Sequence, residues 1–196
     1  MTESPTPTSM TEFPLDSGDW SWVREPGSVE TRGPRIMTWR SVHDSDFWRL
    51  TAGGYVKHDG NALVTRVSGD FCVQASFDAK LETRYDQLGL VVLADESRWL
   101  KAGYELEGGE IWKGAVHTNE YSDWSCEPAA LPAAVRVARN DGTIVVSSPD
   151  AQGEWRMLRQ LFLDGDVAVG PYSAAPLGPG FTTRMTDFVL RADRSA

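Results

Sequence analysis

Residues 85–106, YDQLGLVVLADESRWLKAGYEL, decide how the rest of this chain is interpreted. Two runs of alternating residues flank a polar turn, Asp95-Glu96-Ser97. Period-two alternation across a short polar turn is typical of an antiparallel β-hairpin with one face in a core. We therefore expect one face of the hairpin, together with the alternating segment 70–81 (DFCVQASFDAKL), to be buried between two sheets. The residues expected in that core are Leu88, Leu90, Val92, Ala102, Tyr104, Phe71, Val73 and Phe77.

The register of the hairpin predicts what lies on its second face. Directly opposite residues share a face, so a three-residue turn fits the pattern. It pairs Ala94 with Arg98, Val91 with Lys101, Gly89 with Gly103, and Gln87 with Glu105. The second face would then carry a bare two-glycine floor with polar walls. Because strand glycines often mark close approach of a ligand or another backbone, this face is either a ligand floor or an ordinary solvated face.

A substitution separates these two interpretations of the glycine pair. If a ligand needs the space, Gly103→Val should leave the fold largely intact and block binding. If the glycines serve packing, the same change should unfold the protein.

The remaining segments favour an all-β fold. The chain of 196 residues has 11 prolines and 18 glycines and no convincing stretch at helical spacing. Strand signals recur at residues 18–24, 29–39, 62–67, 166–172 and 181–191, whereas NEYSDWSCEPAALP (119–132), with two prolines, is expected to be a loop. We expect a two-sheet antiparallel sandwich forming a single domain over residues 11–193, after a disordered Ser/Thr/Pro-rich leader over residues 1–10.

Composition and charge exclude several classes of function. The net charge of −9, with 19 scattered basic residues, argues against nucleic acid as a partner. No apolar run approaches the length of a spanning helix, and the N-terminus lacks the features of a signal peptide, so we expect a cytoplasmic protein without a membrane partner. Cys72 and Cys126, as two isolated thiols, fit that compartment, although a disulfide between them stays open.

Motifs for cofactors, metals and known catalytic groups are missing from the sequence. There is no glycine-rich phosphate loop, no His-x-x-His or Cys-x-x-Cys pair and no recognisable triad, so we expect no cofactor and no catalytic metal. A structural Ca²⁺ stays open. Glycoside hydrolysis needs two carboxyl groups across a bond, and the nearest run, Glu105-Leu106-Glu107, ends in a Gly-Gly turn without a middle acid. Hydrolysis is not supported.

Five segments in order resemble a known family. They are DSDFWRLT, YDQLGLVV, WLKAGYELEGG, TNEYSDWS and VGPYSAAP followed by Phe181. The chain resembles, from about Phe13 to Arg191, the domain-of-unknown-function family "regulation of enolase protein-like, concanavalin A-like lectin/glucanase". The resemblance implies a jelly-roll sandwich, a ligand surface on the concave face that includes the central hairpin, and, from a yeast relative, an association with enolase regulation. The chain departs from the family pattern at Asn61, where a His is common, and at Ser173-Ala174, where a Cys is common.

Candidate site residues follow from the hairpin and its aromatic neighbours. Tyr85, Trp99 and Trp124 offer flat apolar surfaces of the kind that pack on sugar rings. The full set of candidate ligand-binding residues is Arg49, Tyr85, Gln87, Gly89, Trp99, Lys101, Gly103, Glu105, Asp123 and Trp124. Arg49 in a structural ion pair and Trp124 as a core or loop anchor are the alternatives for those two.

Three functions of different class stay open. The first is a noncatalytic module that binds a sugar or other small molecule on the concave face. The second is an enzyme that acts on a small metabolite in the same cleft, with Glu105, Lys101 or His117 as acid or base. The third is an interaction protein that regulates a metabolic enzyme. The sequence alone does not rank them.

Overall fold

The computed structural model describes residues 10–193. The predicted leader over residues 1–10 lies outside this range except for Met10. The described residues form strands, turns and extended connections and no helix, so none of them forms a helix that could span a membrane. The strands are β1 (Thr11–Glu12), β2 (Ser21–Trp22), β3 (Ser28–Arg32), β4 (Ile36–Arg40), β5 (Phe47–Arg49), β6 (Val56–His58), β7 (Asn61–Val67), β8 (Phe71–Ala79), β9 (Gln87–Leu93), β10 (Arg98–Glu107), β11 (Glu110–Asn119), β12 (Tyr121–Pro128), β13 (Ala133–Asn140), β14 (Thr143–Pro149), β15 (Trp155–Phe162), β16 (Val167–Ala174) and β17 (Thr182–Ala192).

Two large antiparallel sheets form the sandwich. The back sheet has the order β15-β14-β13-β8-β17-β4-β3, with β1 paired to β17. The front sheet has the order β12-β11-β10-β9-β16-β7-β2. A third, two-stranded unit, the β5–β6 hairpin, belongs to neither large sheet. The predicted all-β, two-sheet antiparallel fold is confirmed.

The central hairpin has the predicted register. Val91 pairs with Lys101, Gly89 with Gly103, and Gln87 with Glu105. The backbone N–H groups of Ala94 and Asp95 both donate to the carbonyl of Arg98, which closes the turn. The two strands lie at the centre of the front sheet, between β11 and β16. One face of the hairpin therefore points to the back sheet and the other points away from it.

All eight residues predicted for the core are buried in one cluster between the sheets. They are Leu88, Leu90, Val92, Ala102, Tyr104, Phe71, Val73 and Phe77, none of them more than 2% exposed. A second, smaller apolar cluster lies on the outer face of the front sheet. Its members are Phe47, Ala62, Val64, Val91, Leu93, Trp99, Val116 and Tyr172. Burial of apolar area on both faces explains why every residue of β9 is buried.

Two local predictions were wrong. The strand expected over residues 29–39 is a hairpin, β3–β4, because Gly33 adopts a φ of +69° and turns the chain. The loop expected over residues 119–132 contains strand β12, which pairs with β11 at the edge of the front sheet. Most side chains of β12 are exposed, so its sequence carries little hydrophobic alternation. Pairing with β11, a tertiary contact, outweighs the local loop signal.

Candidate functional site

A cleft of about 550 Å³ opens on the outer face of the front sheet. Residues of β9 and β10 form its floor, the β5–β6 hairpin covers one side, and the chain after β16 supplies part of the rim. Its volume lies in the range typical of small-molecule sites. The lining residues are Asp44, Ser45, Asp46, Trp48, Thr51, Ala52, Gly53, Tyr55, Lys57, Tyr85, Gln87, Lys101, Glu105, Trp124, Pro176 and Leu177.

The β5–β6 hairpin is held over the sheet by one aromatic side chain. Phe47 is completely buried and meets Trp99 and Tyr172 edge-to-face, with ring centroids 5.9 Å apart in both pairs. The backbone N–H of Arg49 donates to Ser122 Oγ of β12 at 2.9 Å. These contacts close one part of the outer face and leave the cleft beside the hairpin open. Offset and edge-on aromatic pairs of this kind add specific geometry to apolar burial.

A buried polar network forms the cleft floor. Lys101 Nζ donates to Gln87 Oε1 at 2.6 Å and to Asp46 Oδ1 at 3.4 Å, and Gln87 Nε2 donates to the same Asp46 oxygen at 3.0 Å. All three side chains are buried. An ammonium only donates and a carboxylate only accepts, so the orientation of the Gln87 amide is fixed. The floor is therefore a rigid set of charged and polar groups that is already satisfied before any ligand binds.

Glu105 differs from this network because its carboxyl has no hydrogen-bond or ion-pair partner among residues 10–193. Burial raises the pKa of Glu105 to about 7, with the negative charges of Asp46 and Glu107 adding to the rise and Lys101 opposing it. The side chain lines the cleft beside Gln87, its partner across the strands. A carboxyl in this state can accept or donate a hydrogen bond, and can exchange a proton near neutral pH.

Aromatic side chains wall the cleft. Trp48 has its indole N–H bound to the Thr51 carbonyl at 2.6 Å, and the Lys101 ammonium lies 5.8 Å from its ring centroid. Tyr55, Tyr85 and Trp124 also line the cavity. Burial, and next the charge of Asp46, raises the pKa of Tyr55 to about 12, so its hydroxyl is a neutral donor. The walls therefore combine flat apolar surfaces with a few polar groups, which is the usual composition of a small-molecule site.

Backbone strain is concentrated around the cleft. Six non-glycine residues in the described part of the chain have a positive φ, and four of them line the cleft or lie in its hairpin cover. They are Asp44 (φ 58°), Leu50 (61°), Ala52 (60°) and Tyr85 (69°). Such conformations cost about 1–3 kcal/mol each and cluster at functional sites. The clustering of strained backbone therefore indicates a functional site independently of the polar side chains on the cleft floor.

The structure brings together half of the predicted ligand-binding residues. Tyr85, Gln87, Lys101, Glu105 and Trp124 all line the cleft. Trp99 is on the same face but completely buried under the hairpin, where Phe47 covers it. It supports the site and is not accessible to a ligand.

Three other candidates lie away from the cleft. His117 pairs with Leu100, a residue of the inter-sheet core, so it points to the opposite face of the front sheet. Asp123 pairs with His117 and forms an ion pair with Arg159 at 3.3 Å. Arg49 pairs with Glu120 at 3.2 Å, which matches the alternative of a structural ion pair. His117 is therefore not available as an acid or base in the cleft, because β11 places it on the core side.

The glycine pair is required by strand packing. A Cβ on Gly103 would lie 2.7 Å from Gly89 Cα and closer still to the Leu88 carbonyl oxygen. A Cβ on Gly89 would collide in the same way with the Ala102 carbonyl. A side chain at either glycine would therefore collide with the backbone of the neighbouring strand, whether or not a ligand is bound. The expectation that Gly103→Val leaves the fold intact was therefore wrong, and the packing alternative explains the glycines.

Sequence reasoning missed the cleft residues that come from outside the central hairpin. Asp46, Trp48 and Tyr55 belong to or flank the β5–β6 unit, and Leu177 comes from the loop after β16. The one usable signal was Asp46 directly before the aromatic pair Phe47-Trp48. No local pattern shows that this short hairpin folds onto the outer face, because the contact joins residues about forty positions apart in the chain. No group of three or more His, Cys, Asp or Glu side chains suited to a metal ion occurs within residues 10–193.

Fold and site together define a β-sandwich protein with an aromatic-walled, partly covered cleft on its front sheet. Residues 22–192 match the family described as "Protein of unknown function (DUF1349)", and the chain belongs to that family.

Relatives of known sequence or structure agree with this assignment. The chain is 29% identical over 177 residues to "Regulation of enolase protein 1" of Saccharomyces cerevisiae, a match that covers 88% of this chain and 89% of the yeast protein. A crystal structure of "a functionally unknown protein" from Saccharomyces cerevisiae has 27% identity and a TM-score of 0.83, covering 90% of this chain and 98% of that one. A GH43 protein from Bacillus licheniformis has 16% identity and a TM-score of 0.72, covering 92% of this chain and 38% of that one. The last comparison shows a shared fold only.

Proposed function

We propose that this protein binds a sugar, or a small polar molecule of similar shape, in the cleft of the front sheet. The observation that carries the proposal is the unpartnered Glu105 carboxyl beside a fully satisfied polar floor. Glu105 is half-buried, so water reaches its carboxyl from the cleft, and a ligand hydroxyl would replace that water with a direct hydrogen bond. The Asp46, Gln87 and Lys101 side chains already hydrogen-bond one another, so Glu105 is the floor side chain left to bind a ligand hydroxyl.

The walls support a ring-shaped ligand with both polar edges and apolar faces. Trp48 and Trp124 offer flat surfaces, and the rigid floor holds polar groups at fixed positions. A sugar ring presents hydroxyls at its edge and C–H groups on its faces, which matches both features. The opposite charges of Asp46 and Lys101 are paired with each other, so the floor does not select for a strongly charged ligand.

The test is a titration calorimetry panel of monosaccharides and disaccharides against the wild-type chain and two tryptophan variants. Trp124→Ala removes a cleft wall and should weaken binding at least about tenfold, the loss expected for one aromatic contact. The matched control is Trp155→Ala, which should leave binding unchanged. Trp155 lies in the back sheet and stacks on Arg136, with 3.9 Å between the guanidinium and the ring centroid. Absence of binding by every sugar, or equal loss in both variants, would contradict the proposal.

Catalysis in the same cleft is a second candidate function. It is favoured by the pKa of Glu105, which burial raises to about 7 and thus into the range of an effective general acid or base. Glu105→Gln keeps the shape of the side chain and removes its proton exchange. If the protein turns over a bound ligand, this variant should bind it and lose turnover. A variant that keeps its full rate would exclude Glu105 as the acid or base.

Regulation of an enzyme is a third candidate, favoured by the name of the yeast relative, "Regulation of enolase protein 1". The measurement is the activity of a purified enolase with and without an equimolar amount of this chain. A change that persists in the Trp124→Ala variant would point to a protein contact outside the cleft.

We also propose a cytoplasmic location. Cys72 is half-buried and Cys126 exposed, and both are free thiols. Free thiols persist in reducing compartments, whereas an exposed one is oxidised readily outside them. Cell fractionation followed by thiol labelling tests the location, and an oxidised Cys126 in freshly isolated protein would argue against it.

A further inference from the structure

The charged side chains that line the cleft do not balance. Three carboxyl groups, those of Asp44, Asp46 and Glu105, are matched by only two ammonium groups, those of Lys57 and Lys101. Lys57 lies 2.8 Å from Asp44, and Lys101 lies 3.4 Å from Asp46. Among these five lining residues, Glu105 is therefore left without a partner of opposite charge. Since the two pairs cancel, Glu105 decides which charge the cleft prefers.

The cations near Glu105 are already engaged with other groups. Lys101 donates to Gln87 and Asp46 on the cleft floor. Arg84 makes two hydrogen bonds of 2.7 Å to the carboxylate of Glu107. Each of these cations would have to leave an existing partner to reach Glu105. A cation from the ligand would disturb neither pair.

Titratable groups around Glu105 lie in a negative field. Burial first, and then nearby negative charges that include Asp46 and Glu105, raise the pKa of Tyr55 to about 12. Burial is also the largest cause of the raised pKa of Cys126 and Tyr172, and the charge of Glu105 adds to both. These three groups come from the β5–β6 unit, β12 and β16, so the field reaches several sides of the cleft. It favours a positively charged ligand group.

The aromatic walls also suit a cation. The face of an aromatic ring attracts an ammonium that lies within about 6 Å of its centroid. Lys101 already uses one wall in this way, at 5.8 Å from the centroid of Trp48. The other rings that line the cleft with Glu105 are Tyr55, Tyr85 and Trp124. A ligand ammonium at Glu105 would therefore meet a carboxylate and aromatic surfaces in the same space.

We propose that the ligand of this cleft is an amino sugar, whose protonated amino group forms an ion pair with Glu105 between the aromatic walls. This inference rests on the proposed sugar-binding function and names its ligand class. The amino group takes the place of the ligand hydroxyl at Glu105. A neutral sugar leaves the lining with one uncompensated carboxylate, whereas an amino sugar supplies the missing cation.

The test compares amino sugars with their parent sugars by titration calorimetry at about pH 7.5. This pH lies between the pKa of Glu105, about 7, and that of an amino group of the α-amino kind, about 8. The probes are glucosamine, galactosamine and mannosamine with glucose, galactose and mannose. We expect at least one amino sugar to bind about tenfold more tightly than its parent, the low end of the gain for a hydrogen bond to a charged group. The N-acetylated form of that amino sugar keeps the nitrogen without the charge and should lose the gain.

Two variants separate the ion pair from the general charge of the chain. Glu105→Gln keeps the shape of the side chain and removes its charge, so the amino sugar should bind no more tightly than its parent. Glu110→Gln removes an exposed carboxylate at the start of β11, outside the cleft lining, and should keep the tenfold preference.

The preference should also depend on pH. It should rise as pH increases through about 7, where Glu105 loses its proton, and fall above about 8, where the amino group loses its own. Equal affinity of every amino sugar and its parent overturns the inference, while binding of the parent sugars still supports the cleft. A preference that survives Glu105→Gln or N-acetylation, or that both variants abolish, overturns it as well. Failure of every probe to bind overturns both proposals.

Discussion

At the scale of single residues, Glu105 makes the stability of the protein depend on pH. The carboxyl loses its proton near pH 4.5 in the unfolded chain and near 7 in the folded one, because burial raises its pKa to about 7. Between these values the folded state binds more protons than the unfolded state. The contribution of Glu105 to the free energy of unfolding therefore falls as pH rises through this window and is constant outside it.

Glu105→Gln should remove this dependence. We expect the variant and the wild type to differ least below pH 4.5 and the variant to be about 2 kcal/mol more stable above pH 7, a figure reduced for residual solvent contact. Urea unfolding across this pH range measures it. Glu110→Gln, which removes an exposed carboxylate at the start of β11, controls for the loss of one charge. A constant difference between wild type and Glu105→Gln at all pH values would contradict the assignment.

Lys101 and Asp46 should behave as a coupled pair. Lys101→Met leaves the buried Asp46 carboxylate without its cation, which should cost about 3–5 kcal/mol of unfolding free energy. Asp46→Asn in the same chain removes the uncompensated charge, so the double variant should cost clearly less than the sum of the two single variants. Urea unfolding of all four proteins closes the cycle. Additive costs would show that the two charges do not interact in solution.

At the scale of secondary structure, the glycines of β9 and β10 fix how closely these strands approach. Gly103→Val should lower the free energy of unfolding by several kcal/mol or prevent folding, since the new side chain meets the backbone of β9. Gly18→Ala is the matched control, because a Cβ there meets nothing within 4 Å. Thermal unfolding compares the two, and a Gly103→Val variant as stable as Gly18→Ala would show that the strands can separate.

The same elements show how far sequence reasoning reaches. The hairpin register followed from alternation and turn length, because a slip by one residue would expose Leu90 and bury Lys101 on the core side. The β5–β6 hairpin over the cleft had no such signal: its strands have three residues each, and the contact of Asp46 with Gln87 is long-range. The central hairpin therefore gave Tyr85, Gln87, Lys101 and Glu105, and most of the cleft lining required the tertiary fold.

At the scale of the whole molecule, one core cluster holds the two sheets together. Leu90 is completely buried in it, so Leu90→Asp should abolish soluble folding, because a buried unpaired carboxylate is costly. Gln160→Asp introduces the same acid at an exposed position of β15 and should fold normally. Soluble yield and far-ultraviolet circular dichroism report the outcome. A Leu90→Asp protein with wild-type yield and spectrum would show that the core faces were assigned the wrong way round.

The β5–β6 hairpin pairs with neither large sheet, although it covers part of the cleft. Substitutions at its tip, residues 50–55, therefore leave the strand pairing of both large sheets unchanged. Engineering or natural selection can vary these residues without altering the sandwich. A library randomised at Thr51, Gly53 and Tyr55 would sample new recognition surfaces on a constant scaffold, much as exchangeable loops do in binding domains. In this architecture the residues of the hairpin tip set ligand preference, whereas the two large sheets set the stability of the fold.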